Sequence, residues 1–112
     1  NPIEATNEFL DNYFNYSIRS QKVLKEQIYK EYPLIEEEVE SKYVSKINEV
    51  AQKYKYWQSR KLIREDIDVD HCIEALHSLN DYYIVSDYSE EEIIKRLRSV
   101  FRCVFIGMGI SV

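Results

Sequence analysis

Apolar residues recur along this chain at spacings of three and four, the period of a helix that buries one face. Phe9, Leu10, Tyr13 and Phe14 begin a stripe that fades at Asn15–Ser17 and resumes with Ile18, Val23, Leu24, Ile28 and Tyr32. The pattern predicts a helix over 5–32, capped by Thr6 or Asn7. A break or kink is expected near 15–17, where Asn and Ser compete for backbone hydrogen bonds. Tyr32-Pro33 ends this helix, because the residue before a proline is pushed out of the α region. Pro33 itself suits the first turn of the next element.

Ile35, Val39, Tyr43, Ile47, Val50, Tyr54 and Trp57 then mark a long amphipathic helix over 34–62. Asp66, Asp68 and Asp70 are candidate caps for a third helix over 69–81, with Val69, Cys72, Ile73, Leu76 and Leu79 on its stripe. Tyr82-Tyr83-Ile84-Val85 reads as an extended connection or as the tail of that helix. Ser89-Glu90-Glu91-Glu92 is a capping box, with the Ser hydroxyl accepting from the Glu92 amide and Glu92 reaching back. It opens a helix over 90–106 lined by Ile93, Ile94, Leu97, Val100, Phe101, Val104 and Phe105.

Two long N-terminal and two shorter C-terminal helices make an all-α, four-helix bundle-like array, expected as one domain over residues 1–112. Composition agrees. Glycine is absent before Gly107, and Pro33 is the only interior proline, so tight positive-φ turns are scarce. At 45% apolar and 31% charged residues the chain is too apolar for disorder. No apolar run approaches the roughly 18–20 residues that span a bilayer, so no membrane partner is expected. The chain opens at Asn1 without a signal-peptide pattern and reads as a processed protein or an excised domain. Cys72 and Cys103 lack metal or redox spacing and fall on apolar stripes. They are expected as buried free thiols, with one bridge between facing helices as the alternative, which points to the cytoplasm.

Charge is sorted into blocks. Residues 1–45 carry nine acids and five bases, and 46–64 one acid against six bases. Residues 65–92 then carry ten acids with no Lys or Arg, before four bases in 93–112. Acids near helix N-termini and bases near C-termini complement the helix dipole by roughly 0.3–1 kcal/mol each. The dipole accounts for much of this pattern but not fully for 28 residues without a base. An acidic face that meets a basic partner is the functional reading.

The candidate chemistry is sparse. Tyr54-Lys55-Tyr56-Trp57, with Lys53, Arg60 and Lys61, interleaves aromatics and bases as nucleic-acid contacts do. Tyr54 and Trp57 nevertheless fall on the core stripe, and a chain of pI 5.1 repels phosphate. Glu74-Ala-Leu-His77 has the spacing of di-iron bundles, but such sites need a second motif and two further glutamates. His71 and His77 are therefore read as solvated, with no metal and no cofactor expected. The stretch from Arg64 to His71 resembles the arginine–spacer–histidine pattern of helical HEPN-type ribonucleases, a likeness confined to two residues. It implies RNA cleavage by Arg64 and His71. Glu65 stands where that family typically has Asn, and the spacer carries four carboxylates. No Ser/His/Asp ordering, phosphate loop or H-E-x-x-H occurs.

Ten tyrosines remain. Tyr13, Tyr29, Tyr32, Tyr43 and Tyr54 fit the stripes, whereas Tyr16, Tyr56, Tyr82, Tyr83 and Tyr88 do not. Tyr82, Tyr83 and Tyr88 lie inside the acid-only block beside Asp81 and Asp87. Rigid aromatics among carboxylates suit a surface for a basic protein. The expected function is a non-catalytic protein–protein interaction or regulatory module that binds through these five residues. Homo-oligomerisation is equally compatible. The competing reading makes Tyr82, Tyr83 and Ile84 a hydrophobic lid on the end of the bundle.

Overall fold

In the computed structural model, which describes residues 1–111, the first helix starts at Pro2 rather than at residue 5. The Asn1 side chain accepts from the amides of Ile3 (2.9 Å) and Glu4 (3.3 Å), and Pro2 takes the first helical position. Thr6 is no cap: it is buried inside this helix, and its hydroxyl bonds that of Tyr54.

Helix α1 (Pro2–Asn12) passes through a π-helical turn, Tyr13–Ser17, into α2 (Ile18–Val23) and a second such turn, Leu24–Ile28. The whole forms one rod over residues 2–28. The expected break at 15–17 is thus a widening. A π turn absorbs an extra residue and re-aims the apolar stripe without ending the helix. Tyr13 and Phe14 are buried there, with Tyr13 stacked 5.1 Å from Phe101.

Helix α3 (Pro33–Ser59) starts at the proline, as its sequence requires. It stops short of residue 62 because Lys61, at φ 61°, closes a Schellman turn. There the Leu62 amide donates to Trp57 O (2.9 Å) and the Lys61 amide to Gln58 O (3.0 Å). Gln58 Nε2 then holds the following loop by donating to Arg64 O and Ile67 O, both at 2.9 Å.

Helix α4 (Val69–Ile84) is capped by Asp68, which accepts from the His71 amide at 3.0 Å. It runs through Tyr82, Tyr83 and Ile84, so that segment is the helix tail and not an extended connection. Helix α5 (Glu90–Gly107) is capped by Ser89, which accepts from the Glu92 amide at 3.1 Å. The Glu92 carboxylate turns to Arg96 Nε at 3.0 Å, so the reciprocal half of the capping box is taken up by an ion pair. The first turns of α3, α4 and α5 hold acids, but the last turns of α3 and α5 hold no base. The dipole account therefore covers the acids alone.

The four rods pack as an all-α bundle-like globule, with no strand among the described residues. No helix there is long and apolar enough to cross a membrane. Ile18, Ile93, Leu97 and Met108 lose all solvent exposure, and Phe101, Phe105 and Tyr54 complete the centre. Each such side chain contributes roughly 1.5–3 kcal/mol of transfer free energy. Cys103 departs from expectation: it is exposed, Cys72 is half-buried, and both thiols are free.

Helix α3 departs further. Its buried residues are Ala51, Tyr54 and Trp57, all in its second half. Along the first half, Val39, Tyr43 and Ile47 are only half-buried, and Leu34, Ile35 and Val44 are exposed.

Candidate functional site

The last turn of α4 carries Tyr82 and Tyr83, and Tyr88 lies just before α5. Their rings form a chain. Tyr82 meets Tyr83 edge-on at 5.0 Å, and Tyr83 lies 6.1 Å from Tyr88. Tyr82 is 64% exposed, Tyr88 38% and the intervening Val85 65%, while Ile84 is in the core. Fixed in contact with one another, these rings lose little further freedom when a partner covers them.

Three-dimensional pairing modifies the acid-only block. Lys55 reaches Asp70 (2.7 Å), Arg64 reaches Asp66 (2.6 Å), Arg19 reaches Glu90 (3.2 Å) and Arg96 reaches Glu92. The Arg96 guanidinium also lies 4.1 Å over the Tyr88 ring, so one flank of the tyrosine cluster carries positive charge. Asp81 and Asp87 meet no Lys or Arg at ion-pair distance among the described residues. The two do not act alike, however. Asp81 Oδ2 takes His77 Nε2 at 3.3 Å and lines a groove on the flank of α4.

This groove, about 360 Å³, lies between the end of the first rod, the first half of α3 and the end of α4. Leu24, Val39, Val44 and Val85 make its apolar walls. Tyr43 packs on His77 with ring centroids 5.2 Å apart, and burial pushes its hydroxyl up to about 12, aided by Asp81. Burial, with the Glu36 and Glu40 carboxylates, likewise holds the Tyr29 hydroxyl above its ordinary value. Among the described lining residues Lys25 is the one cation, against Glu40 and Asp81.

A polar network supports one side of the groove. Asn80, 1% exposed, exchanges two amide hydrogen bonds with Gln21 (2.9 and 3.1 Å) and accepts from the Tyr13 hydroxyl. Its Nδ2 also reaches Asp81 Oδ1 at 3.3 Å. Burial, with Tyr43 and Asp81 adding, raises the Tyr13 hydroxyl far above the usual phenol range. His77 Nδ1 is buried with no hydrogen-bond partner among the described residues.

His77 is thus not the solvated side chain its sequence position suggested, although His71 is, with 78% of its side chain exposed. The i, i+4 spacing of His77 and Asp81 was the available signal. Glu74, which the E-x-x-H spacing pairs with His77, is exposed. No three His, Cys, Asp or Glu side chains converge on metal-binding geometry among the described residues. Arg64 grips Asp66 with both Nε and Nη2, at 2.9 and 2.6 Å, while His71 sits on the first turn of α4 beside Asp68. Along the basic segment, Lys53, Arg60 and Lys61 are exposed, whereas Tyr54 and Trp57 are in the core.

Fold and site together define a small all-α bundle with an aromatic ridge beside an incompletely filled groove. No protein-family profile, no curated protein and no solved structure matches the chain.

Proposed function

We propose that this domain is a non-catalytic protein–protein interaction or regulatory module that binds a basic protein partner through Asp81, Tyr82, Tyr83, Asp87 and Tyr88. The observation that carries this reading is the chain of three packed tyrosine rings, whose ends, Tyr82 and Tyr88, are 64% and 38% exposed while Tyr83 between them is half-buried against the core. A soluble domain gains nothing in stability from a ring left in water, whereas a partner gains a rigid, wide contact. Asp81 and Asp87, without Lys or Arg partners among the described residues, supply a negative field that steers a cationic surface and raises its on-rate. The two free thiols favour a reducing compartment, and cytoplasmic residence is part of the proposal.

The test is the Tyr82→Ala, Tyr88→Ala double variant, used beside the native chain to capture partners from host extract, with the melting temperature of each recorded. Interface anchors lose about tenfold or more in affinity at unchanged stability. A melting temperature lower by several degrees, with capture per folded molecule unchanged, would make the tyrosines structural and end this reading. RNA cleavage that disappears in a folded His71→Ala variant would replace it with the ribonuclease that Arg64 and His71 suggest.

A further inference from the structure

We propose that the groove beside the tyrosine cluster receives an amphipathic, cationic helix of the basic partner, laid against the first half of α3. This inference rests on the binding-module reading above and assigns its partner a shape.

The first argument is the unfinished stripe of α3. Its apolar positions keep helical period from Ile35 to Trp57, yet burial is complete only from Ala51 onward. Ile35, Val39 and Tyr43 occupy stripe positions and remain exposed or half-covered. Val44 and Val85 add 53% and 65% exposed aliphatic surface on opposite walls. A concavity of about 360 Å³ has room for a few anchoring side chains of a helix laid across it. Helices read such grooves with apolar anchors at i, i+3 and i+4.

The second argument is charge complementarity. Glu40 and Asp81 stand on facing walls, and Glu36 lies near Tyr29 at the same end. Lys25 opposes them on the first rod, which leaves the α3 and α4 sides negative. A helix with apolar residues facing Val39 and Val44 and Lys or Arg toward Glu40 and Asp81 satisfies both surfaces. Val85, on the groove wall, directly follows the α4 tail that bears Tyr82 and Tyr83.

The probe is a fluorescent Leu/Lys amphipathic helix of about 18 residues, five turns, with a Leu/Glu helix as control. Binding of the Leu/Lys peptide is expected to weaken about tenfold in Val39→Ser with Val44→Ser, and again in Glu40→Gln with Asp81→Asn. Glu8→Gln with Glu91→Gln, the same charge change elsewhere, is expected to weaken it less than about twofold. Peptide addition should shift the His77 ring resonances and leave those of His71 in place. Equal weakening by both acid pairs, tight binding of the Leu/Glu helix, or no binding would each overturn the inference. So would a chain that dimerises by sedimentation through Val39 and Val44, since a second copy would then be the occupant. If Tyr82→Ala with Tyr88→Ala abolishes partner capture while the groove variants do not, the groove assignment fails and the binding-module reading stands.

Discussion

Replacing Asn80 by Leu, a side chain of similar size, strips the network beneath the groove without opening a large cavity. The side chain is 1% exposed and accepts from the Tyr13 hydroxyl while exchanging two bonds with Gln21. Tyr13 is itself only 6% exposed, so its orphaned hydroxyl would bear a desolvation cost of about 1–3 kcal/mol. The Gln21 pair contributes roughly 0.5–1.5 kcal/mol per bond, part of which water recovers, because Gln21 is half-buried at the groove. The expected loss is therefore about 2–4 kcal/mol, a large share of a typical domain's stability. With a urea slope of about 1–2 kcal/mol/M, the midpoint falls by roughly 1–4 M.

The decisive measurement is the double variant. Tyr13→Phe in the native background removes one good bond and destabilises by about 1 kcal/mol. In the Asn80→Leu background the same change removes an orphaned hydroxyl, and it should stabilise by about 1–2 kcal/mol. If Tyr13→Phe costs the same in both backgrounds, the hydroxyl and the amide are not coupled and the network account is wrong. A loss below about 0.5 kcal/mol for Asn80→Leu alone would refute it equally.

Two further outcomes follow from backbone and burial. Gly109→Ala should destabilise by about 1–2 kcal/mol, because φ is +89° and a Cβ would lie 3.1 Å from Arg64 Cγ. Gly107→Ala, in helical backbone with nothing within 4 Å of the new Cβ, should stabilise by about 0.5–1 kcal/mol, as should Lys61→Gly at φ 61°. Thermal melts of the three variants check the signs, and a stabilising Gly109→Ala would contradict the turn geometry. Stability should also fall above pH 10. Burial raises the Tyr13, Tyr43 and Tyr54 hydroxyls in the folded state, Tyr43 to about 12, so the unfolded chain releases these protons first. The stabilisation is complete below pH 10 and is lost as pH rises through about 12. Urea midpoints across that window should drop less in Tyr43→Phe, and an equal drop would remove Tyr43 from the account.

The helices were legible because their signals are local. Pro33, Asp68 and Ser89 stand where the helices begin, and Ile93, Leu97, Phe101 and Phe105 read as one buried face before any packing is known. What escaped depends on substitutions for the usual signal. A helix C-terminus is normally read from glycine, but here Lys61 takes the left-handed position, so α3 stops where no glycine marks it. The fading stripe at 15–17 was visible, but a π turn and a break look alike to a period of 3.6. The acid-only block was also visible. Its partial neutralisation by Arg19 and Lys55, from elsewhere in the chain, was not, because ion pairing is set by distance in space.

Helix α3 shows most clearly where a sequence pattern stops short of a site. Its stripe reports which face demands cover, and it runs from Ile35 to Trp57 with no gap longer than four residues. Cover depends on what the other helices bring. Over 51–57 the demand is met: Tyr54 lies 6.0 Å from Phe105 of α5, and its hydroxyl bonds that of Thr6 on α1. Over 35–44 the first rod and the end of α4 come close enough to form walls but not to close the space, so Val39 and Tyr43 stay half-covered. Asn80 and Gln21 hold those walls at their spacing by a directional amide pair, which resists the collapse that purely apolar walls would permit. An apolar stripe left half-covered, beside two walls that hydrogen bonds tie to each other, is the surface the proposed helix would cover. Only the combination of period, burial and network could distinguish it from core.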